Sequence, residues 1–393
     1  MTMHEQVMLD PVTLAHDVGS VLAAQAAQVD EDGAFPETSM RELKQSGLMG
    51  LLVPRDYGGF GASYATMSQV AQILSSGCLS TGMIWAMHCQ QVATIIDHAP
   101  QALLDKVLPR IAYGEMFVAS VTSEREKGGH LLSAYAPLRF EGDEVILERD
   151  APVVTGGAYG DGYLITMRAS EESPPSEVVL AFADRSQLDI EARSGWSPLG
   201  MRGTDSAGMT LQGRFPKDQL IDPPGGFEHV AVTTMIPVGH IAWASAWLGA
   251  AQGCYMQMVE LLRDPKARKG FNLQSDLFAT RLARIRLQLD TVSAYLQQTI
   301  QEYEQFCRSD ESPSHRFNIH INNLKILASE TLFAAIDDLL QLSGLRYGYL
   351  KNKQICVERT FRDLRAASLM YANDRLLIAN GKLALMDREA LFA

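Results

Sequence analysis

Between His229 and Val259 the chain carries no Asp, Glu, Lys or Arg, so this run must be surrounded by apolar matter on nearly every side. A bilayer-spanning helix needs ~20 predominantly apolar residues, and the run is long enough. His229, His240, Gln252 and Gln257 interrupt it, however, and Pro237 and Gly239 fall inside it. Polar side chains are costly in lipid. The run therefore reads as a loop followed by a helix buried inside a bundle or a subunit interface, and no membrane span is expected.

The flanking sequence changes texture twice. Residues 1–114 read as a helical unit. Val12–Val29 is rich in Ala, Leu and Val at helical spacing, and a second helix starts after Pro36 with Thr38 or Ser39 as cap. Two more follow near Tyr64–Ser75 and Ser80–Asp97, and Ala102–Ile111 closes the unit. Residues 115–227 read as a small β-barrel or sandwich. Strand-like runs begin at Met116, Gly162, Val178 and Met209, and Glu141-Gly142-Asp143-Glu144 signals a hairpin. Residues 228–393 read as an antiparallel four-helix bundle, with helices near 228–263, 272–307, 315–342 and 355–383. The fold class is thus α+β, in the order helices, strands, helices.

Composition narrows the function. The net charge of −12 argues against a nucleic-acid partner, which rewards a basic surface. The five cysteines are scattered with no CxxC pair, which fits a reducing, cytoplasmic compartment and excludes a disulfide framework or zinc site. His130 and His240 have no acid or cysteine at ligand spacing, so no metal is expected. Met1–Val12 contains acids and a proline without an apolar core, unlike a secretory signal.

Six local motifs, in order, resemble those of the acyl-CoA dehydrogenase family over nearly the whole chain. They are Leu48–Gly59, Ala119–Glu124, Val153-Val154-Thr155-Gly156-Gly157 with Gly160-Asp161, Leu199–Thr204, Gln341–Tyr349 and Glu358–Asp363. The resemblance implies a homotetramer or homodimer that binds FAD, with FMN as the alternative. It implies an acyl thioester of CoA or a carrier protein as substrate, and O2 or an electron-transfer partner. By position it assigns Thr122, Ser123, Gly129, Thr155, Arg268, Gln341 and Gly344 to the flavin. Hydroxyls at a strand end and glycines that let the backbone approach suit a flavin's polar edge.

The departures bear on the chemistry. Arg125 stands where the family has proline, Val153 where it has tryptophan, and Gly128-Gly129-His130 at its phosphate-side motif. The family's catalytic glutamate falls on Tyr371, and the alternative place on the first bundle helix, Val238-Gly239-His240, has no acid. A phenol with pKa near ~10 is a poor base, and losing a general base costs roughly 10²–10⁴ in rate. Three readings compete. The base has moved to Asp374; or the protein is an oxidase or monooxygenase, with His88 as proton shuttle and Tyr371 orienting substrate; or it is a flavin-binding scaffold. Glu358–Arg375 reads as one helix, with Phe361, Leu364, Ser368 and Tyr371 on a single face closing a pocket. Arg362 and Asp363 read as a structural ion pair, or as a pair anchoring the helix, rather than as catalysts.

Overall fold

The computed structural model describes residues 10–126, 130–193, 195–309 and 311–388. The N-terminal portion holds α1 (Pro11–Asp32), α2 (Glu37–Gln45), α3 (Tyr64–Gly77), α4 (Leu79–His98) and α5 (Gln101–Ala112). Helix α2 starts one residue before the expected cap. Pro36 takes the N-cap place with no side-chain hydrogen bond, because its fixed φ suits a helix entry.

The middle portion is two four-stranded sheets. Strands β1 (Val118–Val121), β4 (Gly162–Arg168), β5 (Val178–Asp184) and β8 (Leu220–Ile221) form one, and β2 (Arg139–Glu141), β3 (Glu144–Ala151), β7 (Met209–Pro216) and β6 (Leu188–Ala192) the other. The expected hairpin is present. Glu141 pairs with Glu144 across Gly142-Asp143, and Gly142 has φ +60, the left-handed geometry that matches strand twist in a tight hairpin. Among the strand pairs of the described residues, β1–β4 alone is parallel, and β1 packs against α4.

The charge-free run forms α6 (Gly226–Val230), a π-turn at Ala231–Met235, and α7 (Ile236–Arg263). It is helical throughout, without the expected loop. Pro237 follows directly on the π-turn, where the ladder of backbone bonds is already widened. The apolar surroundings are protein. A Cβ on Gly249 would stand 2.2 Å from the Gln72 carbonyl oxygen of α3, and the Ser68 and Ser245 hydroxyls bond at 2.7 Å between the same helices. Among the described residues no helix is long and apolar enough to cross a membrane.

Helices α8 (Asp276–Phe306) and α9 (His315–Gly344) complete most of the bundle. The fourth expected helix is two: α10 (Val357–Arg365) and α11 (Asn373–Ala384). The break spans residues 366–372, and Tyr371 near its end has φ +50. A left-handed residue cannot continue an α-helix and costs roughly 1–2 kcal/mol for a side chain with Cβ. Lys325 on α9 stabilises the break. Its Nζ donates to the Tyr371 carbonyl at 2.9 Å and to Asn373 Oδ1 at 2.6 Å. Asn373 in turn donates to Ser329 Oγ at 3.0 Å and Glu330 Oε1 at 2.9 Å.

Arg362 and Asp363 do not pair with each other. Arg362 makes a two-pronged bond to Asp30 of α1 at 2.8 and 2.6 Å and also holds Glu358. Asp363 is buried and accepts the Met201 N–H, pinning the loop before β7 onto α10. Burial pushes its carboxyl up to about 6.

Candidate active site

A cavity of about 410 Å³ opens where the two helical portions meet the end of the β1–β4 pair. Helix α4 contributes Met87 and Gln90, and α7 contributes Ile236, His240 and Trp243. Ser120, Thr122 and Ser123 come from β1 and its exit, and Val153 and Thr155 from the loop after β3. The broken segment supplies Leu369 to Ala372, and α11 supplies Arg375. Among the described lining residues there is no Asp or Glu.

The hydroxyls differ in availability. Ser123 Oγ donates to the Val153 carbonyl at 2.7 Å and accepts the Val153 N–H at 3.2 Å, so it splices two strand ends together. Thr155 Oγ1 bonds Ser206 Oγ at 3.0 Å. Ser120 and Thr122 face the cavity with no side-chain hydrogen bond among the described residues. Both residues are half-buried, so their hydroxyls are open to the cavity.

His88 lies outside the cavity and is fully buried. Its Nε2 donates to the Met49 carbonyl at 3.0 Å, and its Nδ1 accepts the Val118 N–H at 3.0 Å. Burial pushes its pKa down to about 4. It is a neutral splice between α4, the Leu48–Gly50 turn and β1, with neither nitrogen left for a proton shuttle. Asp374 is exposed on the first turn of α11 and does not line the cavity.

Tyr371 does line the cavity, and burial raises its phenol above the usual range. The structure adds His240, which from sequence bears only on metal ligation and on the missing acid. Its ring sits 6.3 Å from that of Tyr371 and 5.6 Å from that of Trp243. Nδ1 donates to the Ile321 carbonyl at 3.1 Å. Burial, with Lys325 nearby, holds its pKa down to about 3. The spacing of His240, Trp243 and Trp247 on one turn-by-turn face of the charge-free run was the signal that could have found it.

Gly239 explains why no acid stands beside His240. A Cβ there would lie 2.3 Å from Gln90 Nε2, which itself donates to the Met235 carbonyl at 2.6 Å. The amide of α4 fills the space that a side chain at 239 needs.

Of the four remaining flavin candidates, three are described and are not brought to the cavity. Arg268 is exposed in the Ala267–Gly270 turn. Gln341 is exposed on α9, bonded to Arg281 and Asp337, and Gly344 is exposed at the end of α9 with φ +65. All three sit on the outer surface of a single chain and do not line the cavity. Gly129 lies outside the described residues.

Residues 15–115 match the family model for the acyl-CoA dehydrogenase N-terminal domain, and residues 226–371 the model for the acyl-CoA dehydrogenase C-terminal domain, together more than half of the chain. The mitochondrial isobutyryl-CoA dehydrogenase of Dictyostelium discoideum is 26% identical over 363 residues, covering 90% of this chain and 82% of that protein. The dibenzothiophene monooxygenase of Rhodococcus qingshengii is 23% identical over 252 residues, 62% of this chain and 60% of that protein. The crystal structure of FMN-bound TdsC from Paenibacillus sp. A11-2 shares the fold with a TM-score of 0.84 at 18% identity, over 98% of this chain and 99% of that one. The chain belongs to the acyl-CoA dehydrogenase family.

Proposed function

We propose that this protein is a flavin-dependent oxidoreductase that uses O2 on an acyl thioester, as a monooxygenase or oxidase, and not an α,β-desaturase. One observation carries the reading: both places where the family keeps its base lack a carboxylate. Tyr371 fills one with a phenol held above its usual range, and Gln90 occupies the side-chain space of Gly239 at the other. No carboxylate reaches the cavity from elsewhere among the described residues.

The residues present fit a flavin ring. The volume falls in the usual range for small-ligand sites, ~300–1,000 Å³, and Trp243, Ile236, Val153 and Met370 supply apolar walls. The free hydroxyls of Ser120 and Thr122 suit a polar ring edge, with Thr155 beside them. A bound flavin supplies two-electron chemistry and, when reduced, reactivity toward O2. Ser123 fixes the strand exit beside that ring. Lys325 fixes the turn that carries Tyr371, so that the phenol ring and His240 shape the substrate side and keep water out.

Arg268, Gln341 and Gly344 lie on the outer surface at positions that the family resemblance assigns to the flavin, which supports FAD completed by a second copy of the chain in a homodimer or homotetramer; FMN needs only the cavity. The electrons come from a reductase or an electron-transfer flavoprotein when the substrate does not supply them. The five free cysteines fit a reducing cytoplasm. The test is to mix the flavin-loaded protein with a panel of acyl-CoAs without air, then admit O2 with a reductant. For a monooxygenase this reading expects the visible flavin band to persist without air and an oxygen-containing product to form once O2 and reductant are present; for an oxidase it expects the band to bleach without enoyl-CoA and to return with release of hydrogen peroxide when O2 is admitted. Enoyl-CoA formed without air overturns it.

A further inference from the structure

His240 presents an acceptor that the fold leaves unused. The Ile321 carbonyl can only accept, so the 3.1 Å contact places the proton on Nδ1 and a lone pair on Nε2. Nε2 makes no hydrogen bond among the described residues, although the residue is only 2% exposed and lines the cavity. The groups around it are the indole of Trp243, the phenol ring of Tyr371, and Lys325 on α9, whose ammonium is committed to the Tyr371 carbonyl and Asn373. Nε2 opens onto the cavity, so a ligand that covers it without donating a hydrogen bond leaves it unpaired, at a cost. A ligand that brings an N–H or O–H satisfies it, and a ligand that brings only C–H does not.

We propose that His240 is a specificity-determining residue, with Nε2 accepting a hydrogen bond from a neutral N–H or O–H on the apolar part of the substrate. The site then takes hydroxyl- or N–H-bearing substrates in preference to plain alkyl or aryl ones. This rests on reading the cavity as the substrate chamber. The donor is neutral rather than an ammonium, because Lys325 and Arg375 already place positive charge around the chamber. Leaving a buried acceptor unpaired corresponds to roughly 5- to 150-fold in affinity, and sites built to hydrogen-bond a ligand reject analogues that lack the group.

Two matched ligand pairs test this on the flavin-loaded full chain: indole against N-methylindole, and 3-hydroxybutyryl-CoA against butyryl-CoA, each titrated by calorimetry. The donor-bearing member should bind about 10-fold tighter. In His240→Phe the difference should shrink to within about 2-fold through loss of the donor-bearing ligand's advantage alone. No preference in the parent protein overturns the proposal, and so does a preference that survives His240→Phe. If His240→Phe does not fold, the parent ratios decide. If the thioesters fail to bind while the indole pair discriminates, the thioester reading falls and the role of His240 stands. If none of the four binds, the substrate chamber itself is refuted, and this assignment with it.

Discussion

Replacing His88 with glutamine separates a structural histidine from a catalytic one. The native imidazole is neutral, with a pKa near 4 against 6.5 for the free side chain. Below pH 6.5 the unfolded chain takes up a proton that the folded chain refuses until about pH 4. Stability is therefore complete above the unfolded pKa and is lost as pH falls through this window. At ~1.36 kcal/mol per unit, His88 removes about 2 kcal/mol between pH 7.5 and pH 5 and up to ~3 kcal/mol by pH 4. Glutamine carries one donor and one acceptor for the Met49 carbonyl and the Val118 N–H, with poorer fit. His88→Gln should lose about 1–2 kcal/mol at pH 7.5, and that deficit should vanish or reverse at pH 5. Urea denaturation at the two pH values, followed by tryptophan fluorescence, measures both. Turnover at pH 7.5 should stay within several-fold of the parent. A deficit identical at both pH values refutes the fixed neutral imidazole. A loss of 10² or more in turnover with stability intact returns His88 to the chemistry.

Other expectations concern how the cavity walls are held. Gly249→Ala drives a methyl into the Gln72 carbonyl of α3 and should cost about 3 kcal/mol or more, seen as a lowered melting temperature. Arg362→Ala leaves Asp30 without its two-pronged partner and unties α10 from α1; about 3 kcal/mol of stability should go, read by chemical denaturation. Asp363→Asn keeps an oxygen for the Met201 N–H but cannot ionise. The buried acid titrates near 6, above its unfolded value, so the parent loses stability as pH rises from about 4 to 6. The substituted protein should escape that loss, with a flatter urea midpoint across the window and roughly 2–3 kcal/mol more stability at pH 8.

Much of the architecture was legible because it is written in local pattern. The charge-free run signalled a buried helix, although its first turns, expected as a loop, are helical too, and Gly142-Asp143 between alternating strands signalled a tight turn. What escaped depends on partners far away in sequence. Phe361, Leu364, Ser368 and Tyr371 have helical spacing, yet Lys325 captures the Tyr371 carbonyl and breaks the helix there. Arg362 stands next to Asp363 but bonds Asp30, 332 positions away. His88 looked available because its two backbone partners lie 39 and 30 residues off. His240 was passed over because only the folded chain shows one nitrogen tied to Ile321 and the other facing a cavity. Arg268, Gln341 and Gly344 carry family motifs whose use a single chain does not display.

The central claim is that this cavity holds no carboxylate to remove the α-proton of a thioester, and that His240, held down to a pKa of about 3 by burial, is too weak a base to replace one. Hydrogen exchange tests it without turnover. Butyryl-CoA deuterated at the α-carbon is incubated anaerobically with the flavin-loaded protein in ordinary water, and the isotope content is followed by mass spectrometry. The account predicts loss of deuterium no faster than in buffer alone. Enzyme-dependent wash-out would show a working base in the cavity and contradict it.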